Sequence, residues 1–348
     1  MRNSFRGVCA STLVMLSAVV AHSSDALASD HALIVTASNA ASNQLFIYSD
    51  TGALLRKIST RGQGGVAGNA GGIAQNHDQL AVVNFGSGNV SIFAKYDGAE
   101  GLQFEYVVPA VASPVSVAFG HDHLYILTTT HVESHAMGRF GINSDPDGVM
   151  PLLIADGSAA QVGVLDNQLI ISEKSNAIET VNLSDRGAIA GVATLVSNIP
   201  QNVNAPFGLA TRGNDAYVTI AHANEISLVR NDNVLAVTPS GTQSAPCWVT
   251  LDGPFLFSSN SPSQSVSRYV VYGQKIIQDA AVVVKLNGNP TDITYRAGLA
   301  AVVDANGTVS HVSVFKVDED GNLTLQGLAT IDSVVTNGIA IVRQDERY

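Results

Sequence analysis

Residues 244–271 read SAPCWVTLDGPFLFSSNSPSQSVSRYVV: short apolar runs, each closing on polar residues, separated by turn signals at Gly253-Pro254 and Ser261-Pro262-Ser263. No helical period is sustained across them, so the stretch reads as short strands joined by tight reversals. It also holds the only Trp of the chain, Trp248, and the only Cys beyond the first ten residues, Cys247.

The same pattern recurs outward in both directions: a small residue or Pro, two variable positions, an aliphatic with a small partner, a polar turn, then a second apolar run. NAGGIAQNHDQLAVVNF, SPVSVAFGHDHLYILTT, AAQVGVLDNQLIISEKSN, APFGLATRGNDAYVTIAHAN and NPTDITYRAGLAAVVDAN align with APCWVTLDGPFLFSSN. The leading residues are Ala70, Pro114, Ala159, Pro206, Pro246 and Pro290, with a seventh at Thr336 in VTNGIAIV; they lie about 40 to 47 residues apart. That period is the one four-stranded propeller blades require. The first unit, from His31, begins where the other units have their second strand, and TNGIAIV is a first strand with nothing after it. Joined, the two ends make one blade, so the expected fold is all-β: a seven-bladed propeller closed by its C-terminal strand, which leaves no gap in the ring.

The two variable positions after each leading residue open the innermost strand and face or flank the central channel. They are Gly71 and Gly72, Val115 and Ser116, Ala160 and Gln161, Phe207 and Gly208, Cys247 and Trp248, Thr291 and Asp292, and Asn337 and Gly338. Strand alternation predicts that Trp248 lines the channel while Cys247 points into packing between blades.

Arg2 and Arg6 precede an apolar run that ends before Ala26-Leu27-Ala28, the pattern of a secretory signal peptide over residues 1–28, with cleavage after Ala21 as the alternative. The propeller domain is then 29–348, in a periplasmic or secreted product. The run is too short for a bilayer span. One thiol, Cys247, remains in an oxidising compartment, so the mature chain forms no internal disulfide and is expected to be a monomer. A formal charge of −11 argues against nucleic acid and anionic membrane as partners.

These repeats resemble the seven-bladed propeller lactonase family, which includes bacterial 6-phosphogluconolactonases and fungal carboxymuconate-lactonizing enzymes. Segments such as AQVGVLDNQLIISEKSNAIETV, NAPFGLA, SAPCWVT and NPTDIT are similar, in this order, to a secreted branch labelled 3-carboxymuconate cyclase-like. The resemblance implies a lactonase-type ester hydrolase without a cofactor. Catalytic members carry Gly-Pro-Arg-His at a blade entry; the similar stretch here is Ala245-Pro246-Cys247-Trp248, without the guanidinium or the imidazole.

Candidate chemistry therefore comes from the blade entries and from the turns between second and third strands. Glu173 suits a general base on water, Lys174 an oxyanion stabiliser, and His222 and Asp292 further acid–base groups. Asn84, Phe207, Trp248, Asn260 and Asp304 are candidates for holding a neutral, hydroxyl-rich ligand in the central funnel. His131, Glu133 and His135 alternate as metal ligands would on a strand, but their place in a long blade connection reads as an exposed polar loop, and no metal is expected. DPDG (145–148) and DEDGN (318–322) read as hairpin turns, and the Gly-rich 62–72 as a flexible connection. A non-catalytic propeller that binds a protein or glycan on its rim is the alternative function.

Overall fold

The computed structural model describes residues 32–66, 68, 71–96, 101–197, 205–332 and 337–343. The expected leader and the leading residues Ala70 and Thr336 lie outside these. Seven antiparallel sheets make seven blades. Blade 1 spans 32–59, blade 2 73–109, blade 3 114–151, blade 4 159–195, blade 5 206–239, blade 6 246–285 and blade 7 289–331. Among the described residues no helix is long and apolar enough to cross a membrane.

Ring closure follows the sequence expectation. The C-terminal strand Asn337–Arg343 is the innermost strand of blade 1 and pairs antiparallel with Ala32–Ala37, Leu33 opposite Val342 and Val35 opposite Ala340. Both faces of each sheet are apolar because each is covered by a neighbour. The buried side chains accordingly form seven clusters, one between each pair of adjacent blades. The cluster between blades 7 and 1 packs Val303, Val312 and Val314 against Ile34, Phe46 and Ile341, so the first and last blades are joined by side chains as well as by the shared sheet.

The blade entries share a local distortion. Opposite the second strand, the register of the first strand slips just after the leading residue, between Pro114 and Ser116, Ala159 and Gln161, Pro246 and Trp248, and Pro290 and Asp292. Such a bulge sets two residues against one and re-aims the side chain that follows. Leading prolines are tolerated because a strand's first residue has no ladder N–H to lose. The consequence matches the expectation for Cys247 and Trp248: Trp248 lines the channel, and Cys247 is buried in the cluster between blades 6 and 7. Burial pushes the Cys247 thiol up to about 12.

One sequence expectation is corrected. His131, Glu133 and His135 lie in the regular strand His131–Gly138 of blade 3, not in an exposed loop. Glu133 and His135 are sealed inside it: one Glu133 oxygen accepts the Val111 N–H at 2.8 Å, the other lies 3.3 Å from His135 Nε2, and His135 Nδ1 is 3.0 Å from the Asn143 carbonyl. Among the described residues no group of three His, Cys, Asp or Glu is arranged to hold a metal ion.

Candidate functional site

The channel holds a cavity of about 570 Å³ lined by inner strands from all seven blades. Its closed end is formed by Gly71, Gln161, Trp248, Asp292 and Ile339. From there it passes aliphatic walls (Val117, Val162, Leu209, Val249, Ile293) to the hairpins at Gly120, Asp166 and Gly213. The mouth is therefore on the face that carries the hairpins between first and second strands, opposite the blade entries.

At the entry end the channel is filled. Phe207 and Trp248 meet edge to face with ring centroids 5.4 Å apart. Part of the Gly-rich segment lies over them: a Cβ on Gly68 would stand 3.7 Å from Phe207 Cζ, and Val66 is buried in the cluster of Val115 and Ala159, from blades 3 and 4. The segment is pinned rather than loose, since Asn39 accepts the N–H groups of Gly65 and Val66 at 2.7 and 3.0 Å and donates to the Val66 carbonyl at 2.5 Å. Lys174 donates to the Gly68 carbonyl at 3.3 Å and stands 5.8 Å above the Phe207 ring; burial lowers its pKa.

Among the described residues, Asp292 is the one carboxyl group at the closed end. Its bulged backbone turns it into the channel, where it is 6% exposed. It accepts the Ile293 N–H at 2.8 Å and also those of Gly71 and Ile339, so one side chain ties together blades 7, 2 and 1. Desolvation outweighs these three donors and pushes its pKa up to about 7.

Gln161, from the same entry position in blade 4, borders Asp292 through Gly71. Its Oε1 accepts the Leu209 N–H of the next blade at 2.8 Å. That fixes the amide so that Nε2 faces Gly71, where an added Cβ would stand 3.3 Å from Nε2 and 2.8 Å from Ser116 Oγ. Gly71 has φ +65°, a conformation that glycine adopts without strain.

The other candidates do not converge on this site. Glu173 is sealed within blade 4 beside Glu179. Burial first, then the neighbouring Glu179 carboxyl, pushes Glu173 up to about 8. Glu173 Oε2 accepts from Ser158 Oγ at 3.2 Å while Oε1 has no partner among the described residues, and Glu179 accepts the N–H groups of Leu153 and Ile154 at 3.0 and 2.8 Å. Asn84 is buried and saturated by Asn43, Thr60, Asn89 and Ser91. Asn260 is held by Ser258, Ser265 and Ser267, and Asp304 by His311 at 2.8 Å. Burial raises the Asp304 carboxyl. His222 is exposed on the 3₁₀ turn Ala221–Ala223. The structure therefore gathers Asp292 and Trp248 at the cavity floor and Phe207 with Lys174 at the packed end. Glu173, Asn260 and Asp304 brace their own blades, and Asn84 ties blade 2 to the end of blade 1.

Gln161 and Gly71 were absent from the candidate list. The signal that finds them is the entry alignment, which places Gln161 at the position of Trp248 and Asp292.

No family model and no curated protein matches the chain. Among solved structures, it is similar to a "putative 6-phosphogluconolactonase" of Bacteroides fragilis, with TM-score 0.65 and 14% identity over 90% of this chain and 98% of that one. A protein of the same description from Bacteroides uniformis gives TM-score 0.65 and 14% identity over 90% and 100%. Virginiamycin B lyase of Staphylococcus aureus gives 0.53 and 13% over 79% and 92%. At these identities the likeness is one of fold: the chain is a seven-bladed propeller.

Proposed function

We propose that this chain is an exported hydrolase that takes a neutral lactone or related sugar-derived ester into the hairpin-side cavity, with Asp292 as the acid–base group. The observation that carries this reading is the position of Asp292: a carboxyl at the closed end of an otherwise aliphatic cavity, with a pKa pushed up to about 7. A base poised near neutral pH is the form this chemistry uses. Ionised Asp292 takes a proton from water as the oxygen attacks the lactone carbonyl. When the ring C–O bond breaks, the same proton passes to the leaving alkoxide, which restores the carboxylate and releases the hydroxy acid. The fold likeness to proteins described as putative 6-phosphogluconolactonases supports lactone hydrolysis as the reaction, and the cavity's own lining argues for a neutral ring.

The test is turnover of a panel of neutral γ- and δ-lactones by the purified protein. Wild type should hydrolyse at least one, and Asp292→Asn should lower its rate about 100-fold, within the usual range for a positioned acid–base group. Absence of turnover on every lactone sinks the hydrolase reading. The alternative is a non-catalytic propeller that binds a protein or glycan. It is favoured by one observation: Glu173, Lys174 and His222 do not share a site with Asp292. Export is tested by the N-terminal mass of the product, which should begin after Ala28.

A further inference from the structure

Asp292 and Gln161 present different problems to an incoming molecule. The carboxyl has three backbone donors, so its hydrogen-bonding capacity is largely committed to the ring itself. The Gln161 amide is committed at one end only. Leu209 holds Oε1, and no hydrogen bond to Nε2 occurs among the described residues, although Nε2 is not sealed from the cavity. Because Oε1 is held, the amide cannot flip to offer an acceptor. The floor therefore presents a fixed donor beside a carboxyl.

The charge of the lining points the same way. Among the described residues no Lys or Arg lines the cavity, and the titratable groups are Asp292 at the floor and His121 and Asp166 at the mouth. An anionic group in that closed end would face a carboxyl without a compensating cation, and burying an unpaired charge is strongly unfavourable. The residue the lactonase pattern supplies for an anion, the Arg of Gly-Pro-Arg-His, is Cys247 here, buried between blades.

We infer that Gln161 is the specificity-determining residue of this cavity: it donates Nε2–H to an acceptor oxygen of the ligand, a carbonyl or ring oxygen, and beside Asp292 it restricts the site to uncharged rings. Phosphorylated or carboxylated lactones are excluded. This rests on the reading of the cavity as the ligand site, but not on turnover. Gly71 supports the arrangement: its N–H is held by the Asp292 carboxyl, and any Cβ there would press on Ser116 Oγ and on the Gln161 side chain.

The probes are D-gluconolactam, a neutral ring that does not hydrolyse, and its 6-phosphate, titrated calorimetrically at pH 8. Wild type should bind the neutral lactam at least tenfold more tightly than the phosphate. Gln161→Glu keeps the acceptor for the Leu209 N–H and removes the donor, so it should weaken lactam binding about tenfold or more at pH 8. Part of that loss should return at pH 4, where a protonated Glu donates again. Equal or tighter binding of the 6-phosphate overturns the inference, as does an unchanged affinity in Gln161→Glu. The wild-type comparison stands even if that variant fails to fold. Lactam binding that depends on Gln161, without lactone turnover, would defeat the hydrolase reading and leave this one intact. Turnover by Gln161→Glu with unchanged KM would do the reverse.

Discussion

Two buried carboxyl groups, Asp292 at the channel floor and Glu173 inside blade 4, are raised by the same leading cause, desolvation, to about 7 and about 8. Their surroundings differ in kind. Asp292 collects backbone N–H groups from three blades and keeps an edge on a cavity; Glu173 is packed beside Glu179 and has none of its surface exposed. A perturbed pKa marks a group that burial has made unusual, and only access to a ligand turns such a group into a catalytic candidate. SEKSN looks the more chemical of the two motifs in sequence because Glu and Lys are adjacent. The strand ends at Glu173, which enters the blade, while Lys174 opens the turn that follows and reaches over Phe207.

The contrast can be broken first at the ring closure. Asp292 depends on the C-terminal strand through the Ile339 N–H, whereas the Glu173–Glu179 pair lies wholly within blade 4. Deleting residues 333–348 removes that strand and the Ile339 and Ile341 side chains from the cluster between blades 7 and 1. The truncated chain should show no cooperative melting transition; an unchanged transition would contradict the closure described above.

A smaller effect is expected from the Asp292 side chain itself. Asp292→Ala leaves three backbone donors without their acceptor and should cost about 3 kcal/mol, while Asp292→Asn retains an acceptor oxygen and should cost about 1 kcal/mol. Chemical denaturation of the two variants checks this. Equal costs would mean that the carboxyl does not tie the blades together.

The smallest of the three shifts concerns pH. Both folded-state pKa values lie above the unfolded ones, so each group contributes stability that is fully present below its unfolded pKa, near 4, and is lost as pH rises through its folded pKa. Wild-type stability should therefore fall between about pH 4 and pH 8. Glu173→Gln keeps the buried side chain's shape without a charge to form, so its decline should be shallower, with a gain on the order of 1 to 2 kcal/mol over wild type at pH 8. Parallel pH–stability curves would remove the account of Glu173 as a carboxyl raised by burial.

The propeller was legible because its period, its turn residues and its split terminal blade are all local features of the chain. The alignment of blade entries places Trp248 and Asp292 at the channel, and both line the cavity; the bulge that re-aims them is visible only in the strand register. What the repeat pattern did not encode was which polar residues are spent inside their own blades. Asn84 looks like a rim ligand in VVNFGSGNVS, yet its hydrogen bonds go to Asn43 and Thr60 of blade 1 and to Asn89 and Ser91 of its own. Two of those four partners come from another repeat, so reading its own repeat cannot exhaust its valence. Nor does the sequence say which end of the channel is open. The Gly-rich 62–72 reads as a loose connection until Asn39, more than twenty residues earlier, is seen to hold Gly65 and Val66.

The contrast between the two carboxyl groups is tested most directly by the pH dependence of lactone turnover in wild type, Asp292→Asn and Glu173→Gln. With Asp292 as the base, the rate should rise with pH to a plateau with a midpoint near 7, follow the same profile in Glu173→Gln, and be lost in Asp292→Asn. A rate that survives in Asp292→Asn but disappears in Glu173→Gln would contradict the account and move the chemistry from the channel floor to the interior of blade 4.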